Sequence, residues 1–314
     1  MASMVNGLSL RVARYNLEFL VTQKITLPEY AGSALRGVFG HALRALSCMT
    51  GAQACDGCPM QERCSYTAVF APHFRARAAD KFVPAAELPV PYIVEPPAWG
   101  DCIFEPGQVL RFSIVLVGAA NDFVQIVILA WQKALRRGIG RQGQAELQRV
   151  TCELQEVYAR QKFTAASVEP VLRIPPAPQD LQAITLEFLT PLRLQQQGSA
   201  LGVSRISADF LFAALMRRVQ LMSKLHGTGE IDFDFLELKS KANSLFQEKH
   251  LLWRDWSRYS SRQDQKMTLG GVCGTWKFSG KVADFWELLY LGQWLHLGKN
   301  ASFGLGRYLL SPQS

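Results

Sequence analysis

Four cysteines, Cys48, Cys55, Cys58 and Cys64, fall in one short stretch as C-x6-C-x2-C-x5-C. Four thiolates on one loop suit a tetrahedral zinc ion, and the central C-x2-C is the usual chelating half. The flanking spacings are looser than in a standard zinc ribbon. An iron–sulfur cluster and unliganded thiols therefore stay open beside structural zinc. A catalytic zinc is disfavoured, because four cysteines leave no open coordination position. Cys102, Cys152 and Cys273 stand alone and read as core residues.

A second concentration of chemistry runs Gly298-Lys-Asn-Ala-Ser-Phe-Gly-Leu-Gly-Arg307. Glycines let a backbone turn its N–H groups outward and come close to a ligand. Phosphate is the natural occupant of such a concavity, and Lys299 and Arg307 add charge beside it. Gly298, Asn300, Ser302, Gly304 and Gly306 complete the expected contact set. The alternative is a tight helix-to-strand connection in which Gly298 merely caps the helix. There is no Gly-Lys-Ser/Thr P-loop and no GxGxxG after a strand, which argues against an ordinary nucleotide-triphosphate site.

The third candidate is His41, five residues after Arg36 and three before Arg44. A histidine titrates where proton transfer near neutral pH needs it, and nearby arginines can hold a developing anion. A surface or helix-capping histidine is the competing reading. His296 borders the glycine-rich segment but lies beside the apolar side of its helix, which favours packing. His73, His226 and His250 have no constellation around them. The H-x-E before P-C-x-x-C that a nucleic-acid deaminase needs is missing.

These residues must be positioned by a repeated plan of elements. Residues 11–27 read as a strand, Pro28 can open a helix, and 29–45 carries a helical pattern. Leu35, Val38, Phe39, Ala42 and Leu46 fall on its apolar face; Ser33, Arg36, Gly37, Gly40, His41 and Arg44 fall opposite. The Cys-rich insert 48–64 follows, and then a Pro-rich passage, 84–97, expected as loop and edge strand. A strand at 109–117 leads to a helix from Asn121 to Arg137 and a glycine-rich loop at 138–143 containing Arg141. A further strand spans 149–158.

Pro175-Pro-Ala-Pro178 is the best linker. The second half repeats the plan, with a strand at 183–194 and a helix at 207–225 exposing Arg217, Arg218 and Lys224. Strands at 251–256 and 266–278, a helix at 284–297, the glycine loop and a last strand at 308–310 follow. This order predicts an α+β protein of two tandem ferredoxin-like domains, 1–174 with the insert and 180–314 with glycine-rich loop 298–307.

The bulk properties fit a protein with sizeable cores. Of the 314 residues 48% are hydrophobic and 19% charged, which excludes a disordered chain. The net charge of +8 favours polyanionic partners, nucleic acid before membrane. Residues 1–20 lack an export signal, and the most apolar stretch, 112–130, is broken by Asn121, Asp122 and Gln125. The expectation is a cytoplasmic protein with reduced thiols and no membrane partner.

The segment 298–307 resembles the C-terminal glycine-rich loop of the CRISPR repeat-processing endoribonucleases of the RAMP superfamily. Arg258-Tyr-Ser-Ser-Arg-Gln263 and Met267-Thr-Leu-Gly-Gly271 resemble one branch of that family. So do Leu35-Arg-Gly-Val-Phe-Gly-His-Ala-Leu43, Cys55-Asp-Gly-Cys-Pro59 and Cys64-Ser-Tyr66. The resemblance implies binding of repeat RNA and metal-independent cutting, in which a ribose 2′-hydroxyl attacks its own phosphate to leave a cyclic phosphate. It also implies a product-bound state within an interference complex. His41, with Arg44 and Arg36, is then the expected catalytic group. Arg141 and Arg262 join the RNA contacts, and Tyr66 and Tyr259 are candidates for base stacking. A noncatalytic RNA-holding subunit of an effector complex is the alternative, and a zinc-stabilised nucleic-acid protein outside CRISPR is a third possibility.

Overall fold

The computed structural model describes residues 10–72, 88–140, 142–164, 172–229, 231, 233–260 and 265–314, without the side chains of 257–260 and 265–268. The chain divides into two compact units: Ser9–Leu172 with Leu225–Thr228, and Arg173–Lys224 with Gly229–Ser314.

The first unit runs β1 (Val12–Gln23), β2 (Ile25–Thr26), α1 (Gly32–Ser47), α2 (Ser65–Val69), β3 (Tyr92–Glu95), β4 (Ile103–Phe104) and β5 (Val109–Val117). It continues through α3 (Val124–Arg137), β6 (Gln144–Cys152), β7 (Gln155–Ala159) and β8 (Lys162–Phe163). In β1, Tyr15, Leu17, Phe19 and Val21 point into the core, while Arg14, Asn16 and Glu18 take the other face, the period of two that a pleated strand imposes. The strand sits at the centre of an antiparallel sheet of order β3-β5-β1-β6-β7-β8. The Pro-rich passage does supply an edge strand, β3.

Helix α1 buries Leu35, Phe39, Ala42 and Leu43. Leu43, rather than Leu46, completes the stripe: Leu46 is exposed, one turn beyond the core at the start of the insert. Phe39 stacks on Trp131 at 4.7 Å, and Trp131 meets Phe112 edge-on at 4.8 Å. Burying one such ring contributes about 1.5–3 kcal/mol. Gly40, expected on the polar face, is buried, because a Cβ there would stand 2.3 Å from the ring of Phe70.

The second unit runs β9 (Ala183–Leu192), β10 (Gln195–Gln196), β11 (Ser199–Ala200), α4 (Ala208–His226) and α5 (Phe235–Asn243). A long hairpin of β12 (Phe246–Ser260) and β13 (Gln265–Ser279), then α6 (Trp286–Leu295) and β14 (Tyr308–Gln313), completes it. Its sheet order is β12-β13-β9-β14, all antiparallel. Phe212 of α4 packs on Phe278 at 5.4 Å and on Phe285 at 4.1 Å, which seats the helix layer on the sheet.

The two units share a common core plan. β1-α1-β3-β5-α3-β6 in the first matches β9-α4-β12-β13-α6-β14 in the second, and each sheet places these strands in the same order. Among the described residues no helix is long and apolar enough to cross a membrane.

Candidate nucleic-acid interface

The glycine-rich loop in the second unit is built against the end of β9. Leu297 N–H donates to Gly306 O, Gly306 N–H to Pro191 O, and Lys299 N–H to Arg193 O. Thr190 Oγ1 donates to Gly304 O at 2.8 Å and accepts from Arg307 N–H at 2.9 Å, so one hydroxyl fastens the loop twice. Gly298, Gly304 and Gly306 all have positive φ, where a side chain is strained. A Cβ on Gly306 would lie 1.8 Å from Leu297 O, and one on Gly298 would lie 2.6 Å from Arg193 O.

The glycines therefore serve close approach of the chain to itself. The N–H groups of Gly304 and Gly306 are directed at protein carbonyls rather than outward, and both residues are buried. Lys299 is exposed, while Asn300, Ser302 and Arg307 are partly so. The N–H groups of Gly304 and Gly306 are thus already committed within the protein, and Lys299 is the exposed side chain of the loop.

Arg218 differs from its expected exposure. Its guanidinium donates to Leu295 O at 3.0 and 3.2 Å, closing the C-terminal end of α6 just before the loop. Burial lowers its pKa to about 10. His296 is fully buried at the C-cap of α6.

Trp253 on β12 adds a residue that no local sequence pattern marks. Its Nε1 donates to Asp255 Oδ1 at 2.8 Å, and its ring lies over Gly270, where a Cβ would stand 2.4 Å from the indole. The residue keeps 37% of its surface exposed. The Gly270-Gly271 pair opposite an aromatic strand was the available signal, but only cross-strand register reveals it. Arg193 Nη1 donates to Gly270 O at 2.8 Å, tying this patch to the end of β9.

In the first unit, His41 is exposed on α1. The structure does not gather Arg36 and Arg44 around it. The Arg36 guanidinium lies over Phe70 at 4.5 Å and near Tyr92 at 5.9 Å, a cation–π arrangement on the core side. Arg44 donates to Ala52 O and Gln53 O, both at 2.7 Å. Five residues along a helix turn a side chain by about 140°, which is why Arg36 points away from His41. Tyr66 stacks on Phe70 at 5.4 Å, so that ring is used internally. Arg141, Arg262 and His73 lie outside the described residues, as does the side chain of Tyr259.

The four insert cysteines line one pocket of about 250 Å³ together with Arg44, Met60 and Tyr66. Hydrogen bonding by Thr50, and then by the Gly51 backbone, holds the Cys48 thiol below its ordinary pKa. Burial raises that of Cys55. Among the described residues no three such side chains already stand in the arrangement of a metal site.

Two antiparallel-sheet units of matching topology, the second ending in a glycine-rich loop, define an α+β protein. Residues 10–173 match the AF_1859 N-terminal domain and residues 186–308 match CRISPR-associated endoribonuclease Cas6. The second unit thus carries a match to the Cas6 endoribonuclease family, and the first unit carries the AF_1859 N-terminal domain. An uncharacterized protein of Archaeoglobus fulgidus is 23% identical over 285 residues, which is 89% of this chain and 91% of that protein.

A Cas6 product complex superposes with a TM-score of 0.54 at 13% identity, covering 96% of this chain and 99% of that one. A partial Cas6-RT-Cas1–Cas2 complex superposes with a TM-score of 0.57, also at 13% identity. There the match covers 96% of this chain but only 46% of the other, so this chain spans less than half of that protein.

Proposed function

We propose that this protein binds the repeat of precursor CRISPR RNA and cuts it without a catalytic metal. The two ferredoxin-like domains serve as the scaffold, and the cut RNA stays bound for hand-over to an interference complex. The single observation that carries the reading is the loop 298–307. It lies within the residues matched to the endoribonuclease family and leaves Lys299 exposed and Asn300, Ser302 and Arg307 partly exposed.

These side chains hold phosphates, and Trp253, held flat by Asp255 and Gly270, offers a stacking face to an unpaired base. His41 moves a proton during attack of the 2′-hydroxyl. Arg36 and Arg44 act on the helix and the insert that position His41, not on the phosphate.

One binding experiment separates the two kinds of contact. Repeat affinity is measured across a salt series for the unsubstituted protein, Lys299→Ala and Trp253→Ala. Losing a phosphate contact should flatten the salt dependence for Lys299→Ala by about 0.7 to 0.9 in log–log slope. Losing a stacked base should weaken binding by about 1–3 kcal/mol at every salt concentration and leave the slope unchanged. Unaltered affinity and slope in both folded variants would move the RNA surface elsewhere.

A noncatalytic RNA-holding role is the second reading. It is favoured by the commitment of Arg36 and Arg44 to protein contacts, which leaves His41 without the expected arginine partners. It predicts the same binding results with no cleavage.

A further inference from the structure

The segment from Cys48 to Cys64 has no folding rationale of its own. It contains turns but no helix or strand, and none of its residues is buried. Ordering each residue of such a loop costs about 1–2 kcal/mol of backbone entropy, which apolar burial normally offsets. Exposed Met49 and the small and polar residues around it supply no such burial.

What the segment does have is a geometry that sets its four cysteines around one pocket. Cys48 is the C-cap of α1 and Cys64 the N-cap of α2. Ser65 Oγ donates to Ser47 Oγ at 2.7 Å, so the two helix ends meet beside both cysteines. Thr50 Oγ1 lies 3.9 Å from Cys48 Sγ and 3.6 Å from Cys58 Sγ. Cys55 and Cys58 share one turn, closed by Cys58 N–H to Cys55 O at 3.3 Å and made possible by Gly57 at φ 72°. Arg44 spans the pocket to grip the carbonyls of Ala52 and Gln53.

We propose that Cys48, Cys55, Cys58 and Cys64 bind one zinc ion as a structural tetrathiolate site. Rotation about the Cα–Cβ bonds, with adjustment of the loop, would bring the sulfurs from the pocket wall to the metal, at the roughly 2.3 Å usual for zinc–sulfur bonds. Four thiols lose four protons to solvent as four Zn–S bonds form, and no electron moves. The product, Zn(S-Cys)4, carries a net charge of −2, and the Arg44 guanidinium beside it offsets part of that charge. Arg44 thereby gains a role that its position away from Arg36 leaves open. Closing the loop through the metal supplies the free energy that burial does not.

The test is elemental analysis of the full-length, tag-free protein purified without oxygen. The expected result is one zinc per chain. Replacement by Co²⁺ should give the visible absorption and the thiolate-to-cobalt bands of a tetrahedral sulfur site. Cys55→Ser with Cys58→Ser should lose the zinc and melt at lower temperature. If that double variant does not fold, the cobalt spectrum of the unsubstituted protein still decides. Iron in place of zinc, metal-free protein with free or disulfide-linked thiols, or zinc retained by the folded double variant would each overturn the proposal. None of these readouts depends on RNA cleavage, so the RNA reading can fail without this one.

Discussion

Replacing His41 by alanine should remove most cleavage of the cognate repeat and leave repeat affinity nearly intact. The expected loss is about 10²–10⁴-fold in the cleavage rate, the usual worth of one positioned acid or base. The side chain is exposed on α1, so its removal opens no cavity, and alanine is the best helix former. A residue that acts in the transition state costs rate without costing binding. Single-turnover cleavage and a filter-binding isotherm on the same preparation separate the two. A proportionate fall in affinity would recast His41 as a binding residue, and full activity would transfer the chemistry to another group. Arg44→Ala should behave differently and lower stability, because its guanidinium holds the carbonyls of Ala52 and Gln53.

The largest effect on stability should come from Gly306→Val. Position 306 has φ 68°, a region where a β-branched residue is a genuine outlier, and its Cβ would overlap Leu297 O at 1.8 Å. The loop cannot relax by a side-chain rotation, since both partners are backbone. The same pairing carries the Leu297 N–H to Gly306 O bond. A loss of about 3 kcal/mol or more is expected, at the upper end of single substitutions, and chemical denaturation measures it. A stable variant with selectively weakened RNA binding would instead show that this glycine faces the ligand. Lys299 is the cleaner probe of RNA contact, because it is exposed and lies at the turn of the loop.

The repeated plan of elements was legible because hydrophobic period and turn residues are local. The strand β1, helix α1, the cysteine insert and the position of the glycine loop all follow from neighbours in sequence. Helix α5 also carries a local signal: Asp234 accepts from Glu237 N–H at 2.8 Å, the side-chain cap that Asp three residues before Glu announces. Other features lie beyond any local pattern. Gly40 is needed for Phe70, thirty positions away, and Arg218 is held by Leu295 across the second unit. The platform of Trp253 over Gly270 depends on hairpin register. For the same reason, His41, Arg36 and Arg44 looked like one constellation in sequence, whereas the aromatic contacts of Arg36 and the loop contacts of Arg44 separate them.

The most direct measurement of the central claim is cleavage of the cognate repeat RNA by purified protein, with EDTA present and zinc content checked before and after. The reaction should proceed, should leave a 2′,3′-cyclic phosphate and a 5′-hydroxyl, and should stop when the nucleotide at the cut carries a 2′-deoxy sugar. Tight binding of the repeat with no cut at any site, by protein that has kept its fold and its metal, would contradict it and assign the chain to holding RNA.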